Sequence, residues 1–138
     1  MAVRVVRLGA PRSTGEGVRL GTVRRPPRGV AKQDFASRDY FDVWLPELAP
    51  SAPVVSWAVS EPWTEARWKQ FMRRYNSEMK KPHARHLIDT LAALSHQTSF
   101  SIGCYCEDEA HCHRSLLREL LVEAGADVAG SAPKPAAR

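Results

Sequence analysis

The sequence has no run of apolar residues that approaches the roughly 18 needed to cross a membrane. Its first residues, "MAVRVVRLGAP", include basic side chains but lack the continuous apolar segment of a secretory signal peptide. We therefore expect a cytoplasmic protein with no membrane partner.

Cysteine is absent from the first 103 residues, and all three cysteines lie between residues 104 and 112. A disulfide framework spreads an even number of cysteines along a chain, so an odd number in one short segment argues against one. We expect reduced thiols.

Acidic residues are scarce in the first 38 residues, and the chain as a whole has a net charge of +5 and a pI near 9.4. Such a charge favours an anionic partner, either a small anionic ligand or nucleic acid. A solvated basic edge with no partner is the alternative. The cations that this region holds are Arg4, Arg7, Arg12, Arg19, Arg24, Arg25, Arg28, Lys32 and Arg38.

Apolar patterning predicts strands that alternate with helices. Runs rich in β-branched residues or with alternating polarity predict strands, and apolar residues at helical spacing predict helices. The predicted strands are 3–8, 18–23, 51–59 and 98–106. The predicted helices are a short one within 38–48, one from an N-cap at Ser60 to Met79, one through Leu87–Leu94, and one from about His113 to Ala124.

A chain of 138 residues has the length of one domain. Strands separated by helices predict a compact α/β fold, with a mostly parallel sheet flanked by helices in Rossmann-like layering. We predict one domain over residues 1–127. The remainder, 128–138, ends in "GSAPKPAAR" and has too little apolar content for a core, so it is predicted to be a disordered tail.

One stretch, "IGCYCEDEAHCHRSLLREL" (102–120), contains every cysteine and two of the five histidines. It joins the end of a predicted strand to the start of a helix. Ligand sites in α/β sheets gather at the carboxyl ends of strands and at the helix starts that follow. We expect the functional site here.

The first hypothesis for this site is an anionic ligand, such as a nucleotide or another phosphate-bearing molecule. Backbone N–H groups at the helix start, with Arg114 and Ser115, suit an anion. Arg24 and Arg28 in the proline-rich loop "RRPPRG" would complete it. The hypothesis predicts that the loop and the Cys-His-Arg turn meet at one edge of the sheet. A non-catalytic nucleic-acid-binding accessory protein is the alternative.

A reactive thiol is the second hypothesis. A helix start and neighbouring basic side chains lower the pKa of a cysteine, so Cys112 and His113 are the candidate catalytic residues. The phosphatase pattern Cys-x5-Arg is absent. Five residues separate Cys106 from the next position, and that position is Cys112 and not an arginine. In a purely structural alternative, Arg114 pairs with an acid of "EDE" and the cysteines pack as small apolar side chains.

A metal site is the third hypothesis. The site would use Cys104 or Cys106, Cys112, and His111 or His113, all of which are ligands that zinc accepts. One segment alone has difficulty in supplying tetrahedral geometry, and His83, His86 or His96 could supply a further ligand only if the fold brings one close.

Four motifs resemble the domain of unknown function 488 family (DUF-488, including the YeaO-like proteins). In order they are "RLGTVRRPPRGVAKQD", "FDVWLPELAPS", "WKQFMRRYNSEM" and "CYCEDEAHCHRSLLRELL", and the resemblance extends from residue 3 to about 125. The resemblance implies an α/β fold with a compact, mostly parallel sheet, and it implies no established activity.

The chain departs from the YeaO-like pattern at several positions. Val23 replaces an aspartate and Pro26 replaces a tryptophan. Val55 and Ser60 stand near the two places where many relatives carry an arginine and then a histidine. The carboxyl end is similar to another branch of the family, in which a strand ends in cysteine and a Cys-His-Arg triplet begins the last helix. The residues that fit that branch are Cys104, Cys112, His113 and Arg114.

Overall fold

The computed structural model describes residues 2–130. Four strands form one sheet in the order β1-β4-β2-β3, and each pairing between neighbours is parallel. The predicted α/β class with a parallel sheet is confirmed. The strands are β1 (Val3–Arg7), β2 (Val18–Gly21), β3 (Val43–Trp44) and β4 (Phe100–Cys104).

The sheet places β4 between β1 and β2, and all five residues of β4 are buried. Phe100 lies opposite Val3 on one side and opposite Val18 on the other. Because all strands run the same way, the carboxyl ends of β2 and β4 meet at one edge of the sheet.

Four helices contribute to one hydrophobic core with the sheet. They are α1 (Ala52–Val59), α2 (Glu65–Met79), α3 (Pro82–Leu94) and α4 (His113–Glu123). The apolar stripe predicted for α2 faces this core through Phe71, Tyr75 and Met79. The buried phenol of Tyr75 donates a hydrogen bond to the carbonyl of Leu48 at 2.8 Å, which fixes α2 against the segment before α1.

Three local predictions are wrong. Residues 51–59 contain helix α1 instead of a strand, because Pro53 suits a first helical turn, where no N–H is needed. Residues 38–48 form no α-helix: Asp39 adopts a positive φ of 63°, and a short 3-10 turn spans Pro46–Leu48. The N-cap of α2 is Thr64, whose side chain accepts a hydrogen bond from the backbone N–H of Arg67.

A buried ion pair holds the start of β2. Arg19 is 1% exposed, and its Nε and Nη2 donate to the Glu16 carboxylate at 2.7 and 2.9 Å. Ser101 of β4 donates to the same carboxylate at 2.7 Å. Hydrogen bonds from Arg19, Ser101 and the Ser13 backbone lower the pKa of Glu16 from 4.5 to about 2. The network ties the 9–17 loop to two neighbouring strands.

The boundary predicted at residue 127 stays a prediction. Val128 is buried and forms a parallel bridge with Val3, so ordered packing continues past that boundary. The rest of the predicted tail, 131–138, lies outside the described residues. Within residues 2–130, no helix is both long enough and apolar enough to cross a membrane.

Candidate functional site

A cavity of about 450 Å³ opens at the carboxyl ends of β2 and β4. It brings together the segment after β2, the end of β4, the start of α4 and the connection between α1 and α2. The proline-rich loop and the Cys-His-Arg turn, about 85 residues apart in sequence, both contribute to its lining. This is the sheet edge at which parallel α/β folds bind ligands.

Three thiols converge on this cavity. The Sγ atoms of Cys104, Cys106 and Cys112 all lie within 4.8 Å of one another, and those of Cys104 and Cys106 are 3.7 Å apart. We call these three residues the thiol cluster. Among residues 2–130 it is the single group of three or more close metal-ligand side chains.

The local fold explains how one segment supplies three converging thiols. Side chains two apart along an extended segment point the same way, which directs Cys104 and Cys106 together. A 3-10 turn over Glu109–His111 follows, capped by Asp108, whose carboxylate accepts from the N–H of Ala110. The turn brings the chain back, so that Cys112, the N-cap of α4, faces the other two thiols.

Hydrogen bonding within the thiol cluster shifts the pKa values of its members in opposite directions. Hydrogen bonds from Cys104 and then Cys112 lower the pKa of Cys106 below its ordinary value of 9.0, and the nearby charge of Arg114 acts in the same direction. The same hydrogen bonding raises the pKa of Cys104 and of Cys112. Ionisation is therefore favoured at Cys106, which is exposed, over Cys104 and Cys112, which are buried.

His113 is held in one tautomer. Its Nε2 lies against the carbonyl oxygen of Thr22, which can only accept, so Nε2 carries the proton and Nδ1 does not. Nδ1 lies 4.0 Å from the Sγ of Cys112. Burial lowers the pKa of His113 from 6.5 to about 4, which keeps the ring neutral at pH 7.

Arg114 is buried beneath the thiol cluster and does not line the cavity. It is 4% exposed, and its Nη1 donates to the carbonyls of Val6 and Cys104. No carboxylate within residues 2–130 forms an ion pair with it, and its Nε has no hydrogen-bond partner there. The structural alternative in which Arg114 pairs with an acid of "EDE" is therefore wrong. Its charge instead offsets that of the thiolate.

Two arginines also line the cavity, and we call Arg24 and Arg25 the arginine pair. Arg24 donates from Nε to the carbonyl of Pro50 and from Nη2 to those of Pro46 and Ala49, so it mainly holds the loop in place. Arg25 is exposed, and its guanidinium forms no ion pair or hydrogen bond within the described part of the chain.

The remaining predicted ligand-binding residues lie elsewhere. Arg28 is exposed and does not line the cavity. The hydroxyl of Ser115 donates to the carbonyl of Cys112 at 2.8 Å, so it caps the first turn of α4. Sequence reasoning proposed Arg28 and passed over Arg25, because the loop "RRPPRG" does not reveal which arginines face inward.

His111 lines the cavity but does not belong to the thiol cluster. Its Nδ1 lies 2.8 Å from the carboxylate of Asp108, and its ring stacks on Trp63 at 6.0 Å between centroids. The other histidines considered as ligands also lie apart from the three thiols. His96, for example, contacts the carbonyl of Gly125 at 2.7 Å.

Apolar side chains form most of the cavity wall. One side of α1 contributes Val55, Ala58 and Val59, and Trp63 and Phe71 close the wall near the start of α2. These two rings pack edge to face with centroids 5.4 Å apart. No signal in the sequence distinguished Trp63 from the other core aromatics.

A family model described as "DUF488-N3a: Active DUF488-N3 subclade" matches residues 3–125 of the chain. No curated protein and no solved structure matches it.

Proposed function

The chain belongs to the DUF488 family, and on that premise we propose that it binds a small ligand with an apolar body and an anionic end in this cavity. One observation carries the proposal: the arginine pair and the thiol cluster line the same cavity of about 450 Å³. That volume lies in the range of small-molecule sites, which are mostly apolar with a few placed polar groups.

The arginine pair supports an anionic end. Within the described part of the chain, the guanidinium of Arg25 forms no ion pair or hydrogen bond. The Nη1 of Arg24 also donates no hydrogen bond there, since the bonds of this side chain come from its Nε and Nη2. Guanidinium groups bind carboxylates and phosphates through paired, charge-assisted hydrogen bonds. The thiolate on Cys106 repels an anion, so the anionic end lies at the arginine pair and the apolar body faces Trp63 and α1.

The thiol cluster supplies the reacting group if the ligand is turned over. In the metal-free protein we assign Cys106 as the nucleophile instead of Cys112, since Cys106 is the exposed thiolate and Cys112 is buried and protonated. His113 Nδ1 lies 4.0 Å from the Sγ of Cys112, so in this structure it is beside that thiol instead of the nucleophile.

Pairing of the amino-terminal cations favours a small ligand over nucleic acid. Arg7 pairs with Glu107, Arg12 with Asp42, and Arg19 with Glu16. Cations that are paired with carboxylates add less to phosphate binding, so these three contribute less to a basic surface than the sequence suggests.

A thermal-shift comparison tests the proposal. The ligands are inorganic phosphate, a set of nucleoside monophosphates, and the matching uncharged nucleosides. A compound that binds the folded state raises the Tm in proportion to ln(1 + [L]/Kd). We expect a rise with at least one anionic compound and none with its neutral counterpart.

Arg25→Ala and Arg28→Ala form a matched pair, since each removes one exposed arginine from the same loop and only Arg25 lines the cavity. The Tm rise should disappear in Arg25→Ala and persist in Arg28→Ala. Equal loss in both variants, or no rise with any anion in the wild type, would refute the proposal.

A further inference from the structure

The spacing of the thiol cluster matches that of metal ligands. A Zn²⁺ ion binds thiolate sulfurs at about 2.3 Å, which places tetrahedral sulfurs about 3.8 Å apart. The Sγ atoms of Cys104 and Cys106 are already 3.7 Å apart, and every Sγ pair in the cluster is within 4.8 Å. Closing the third thiol onto a shared ion therefore needs a movement of about 1 Å or less.

The convergence removes the objection that one segment cannot supply tetrahedral geometry. Two thiols come from the end of β4 and the third from the N-cap of α4, and the 3-10 turn over Glu109–His111 brings these two elements face to face. The cavity reaches all three cysteines, so it offers an ion a path of entry.

His113 lies beside the cluster and is not part of it. Its Nδ1 carries no proton, because Nε2 donates to the carbonyl of Thr22, and it lies 4.0 Å from the Sγ of Cys112. Its ring nitrogens are not among the ligand atoms that lie within 4.8 Å of one another, so the three sulfurs are the ligands that the structure brings together. A zinc site with three protein ligands keeps its fourth position for water or a substrate.

Arg114 is an independent observation that points to a permanent negative charge here. Arg114 is 4% exposed, and its Nη1 donates to the carbonyl of Cys104. No carboxylate within residues 2–130 pairs with it. A buried cation is costly without a nearby anion. Zn²⁺ bound by three thiolates carries one net negative charge, which Arg114 would balance.

We infer that the thiol cluster binds a Zn²⁺ ion through its three sulfurs. The site differs from the one expected from the sequence, because neither His111 nor His113 belongs to the group of ligand atoms that lie within 4.8 Å of one another. This inference does not rest on the proposed function, since the metal binds without the anionic ligand. A bound Zn²⁺ ion would be coordinated by the sulfur of Cys106, so Cys106 would not be free to act as a nucleophile. The zinc-loaded and metal-free proteins are therefore two states of one site.

The test uses the full chain without a histidine tag, reduced and stripped of metal by a chelator. Titration with Co²⁺ should give thiolate-to-cobalt charge-transfer absorption at one ion per chain, and Zn²⁺ should displace it. X-ray absorption of the zinc-loaded protein should show three sulfurs. Failure to take up either ion, or fewer than three sulfurs, would overturn the inference.

Cys106→Ser is the informative variant, because Cys106 is exposed and its replacement leaves the core intact. We expect its zinc affinity to fall at least tenfold. His111→Ala, in the same cavity and outside the cluster, should bind zinc as the wild type does. Arg25→Ala should also keep its zinc, which separates this inference from ligand binding. Unchanged affinity in Cys106→Ser, or equal loss in His111→Ala, would contradict it.

Discussion

Replacing Glu16 with glutamine removes the charge that neutralises buried Arg19. The Glu16 carboxylate is 2% exposed and accepts hydrogen bonds from Arg19, Ser101 and the backbone of Ser13. Its pKa falls from 4.5 to about 2 on folding. At about 1.36 kcal/mol per pKa unit, this shift corresponds to about 3 kcal/mol of stability at neutral pH. That is a large part of the roughly 5–15 kcal/mol that stabilises a domain.

The pH dependence has a definite sign. Because the pKa of Glu16 is lower in the folded state, its contribution is complete above the unfolded value of 4.5 and is lost as the pH falls towards about 2. Glu16→Gln should therefore lower the free energy of unfolding by about 3 kcal/mol at pH 7 and by much less near pH 2.5. Comparing wild type with variant cancels other acid-sensitive groups, such as His113.

Urea denaturation at pH 7, 5, 4 and 2.5, followed by circular dichroism, measures this difference. A difference below about 1 kcal/mol at pH 7 would refute the reasoning, as would one that stays constant down to pH 2.5. The network also matters for the site, since β2 leads directly to Thr22, Val23 and the arginine pair.

Two further predictions concern the scaffold around the site. Gly17 and Gly15 both adopt a positive φ, of +80° and +77° respectively. A Cβ on Gly17 would lie 2.0 Å from the carbonyl oxygen of Ser99, whereas a Cβ on Gly15 would meet no atom within 4 Å. Gly17→Ala should therefore lower the free energy of unfolding by about 2 kcal/mol more than Gly15→Ala, whose cost is about 1 kcal/mol of backbone strain; equal urea midpoints would contradict this. Tyr75→Phe leaves the buried carbonyl of Leu48 without its 2.8 Å hydrogen bond and should cost about 1–2 kcal/mol in the same assay; an unchanged midpoint would show that the bond contributes nothing.

The fold class, the positions of β1, β2 and β4, and the core stripe of α2 could be predicted because they depend on local periodicity. Residues 51–59 could not, since "APVVSWAV" contains β-branched residues typical of strands while its proline fits a helix start, and tertiary packing decides between them. The helix predicted within 38–48 failed for a similar reason: the positive φ of Asp39 depends on the carbonyl that this residue offers to buried Arg19.

The sequence segment 102–120 contributes to the candidate cavity, but the positions of its individual side chains were not all predictable. Arg114 is a typical anion-binding residue by type and position, yet it is buried against the carbonyls of Val6 and Cys104. Arg25 and Arg28 are equivalent in composition, and only the course of the loop separates them. The pKa of Cys106 is lowered because neighbouring thiols hydrogen-bond to it, which is a property of the folded cluster.

The central claim is that the arginine pair and the thiol cluster form one site, and alkylation rates test it most directly. A thiolate attacks the same methylene carbon in iodoacetate and in iodoacetamide and displaces iodide from each. The two reagents differ in charge, so the ratio of their rates at Cys106 cancels the ionisation of the thiol. On metal-free, reduced protein, with modification mapped by mass spectrometry, we predict that Arg25→Ala lowers the iodoacetate-to-iodoacetamide ratio by roughly fivefold, equivalent to about 1 kcal/mol. Arg28→Ala should leave the ratio unchanged. The same ratio in wild type and Arg25→Ala would contradict the claim that the two groups act on one ligand.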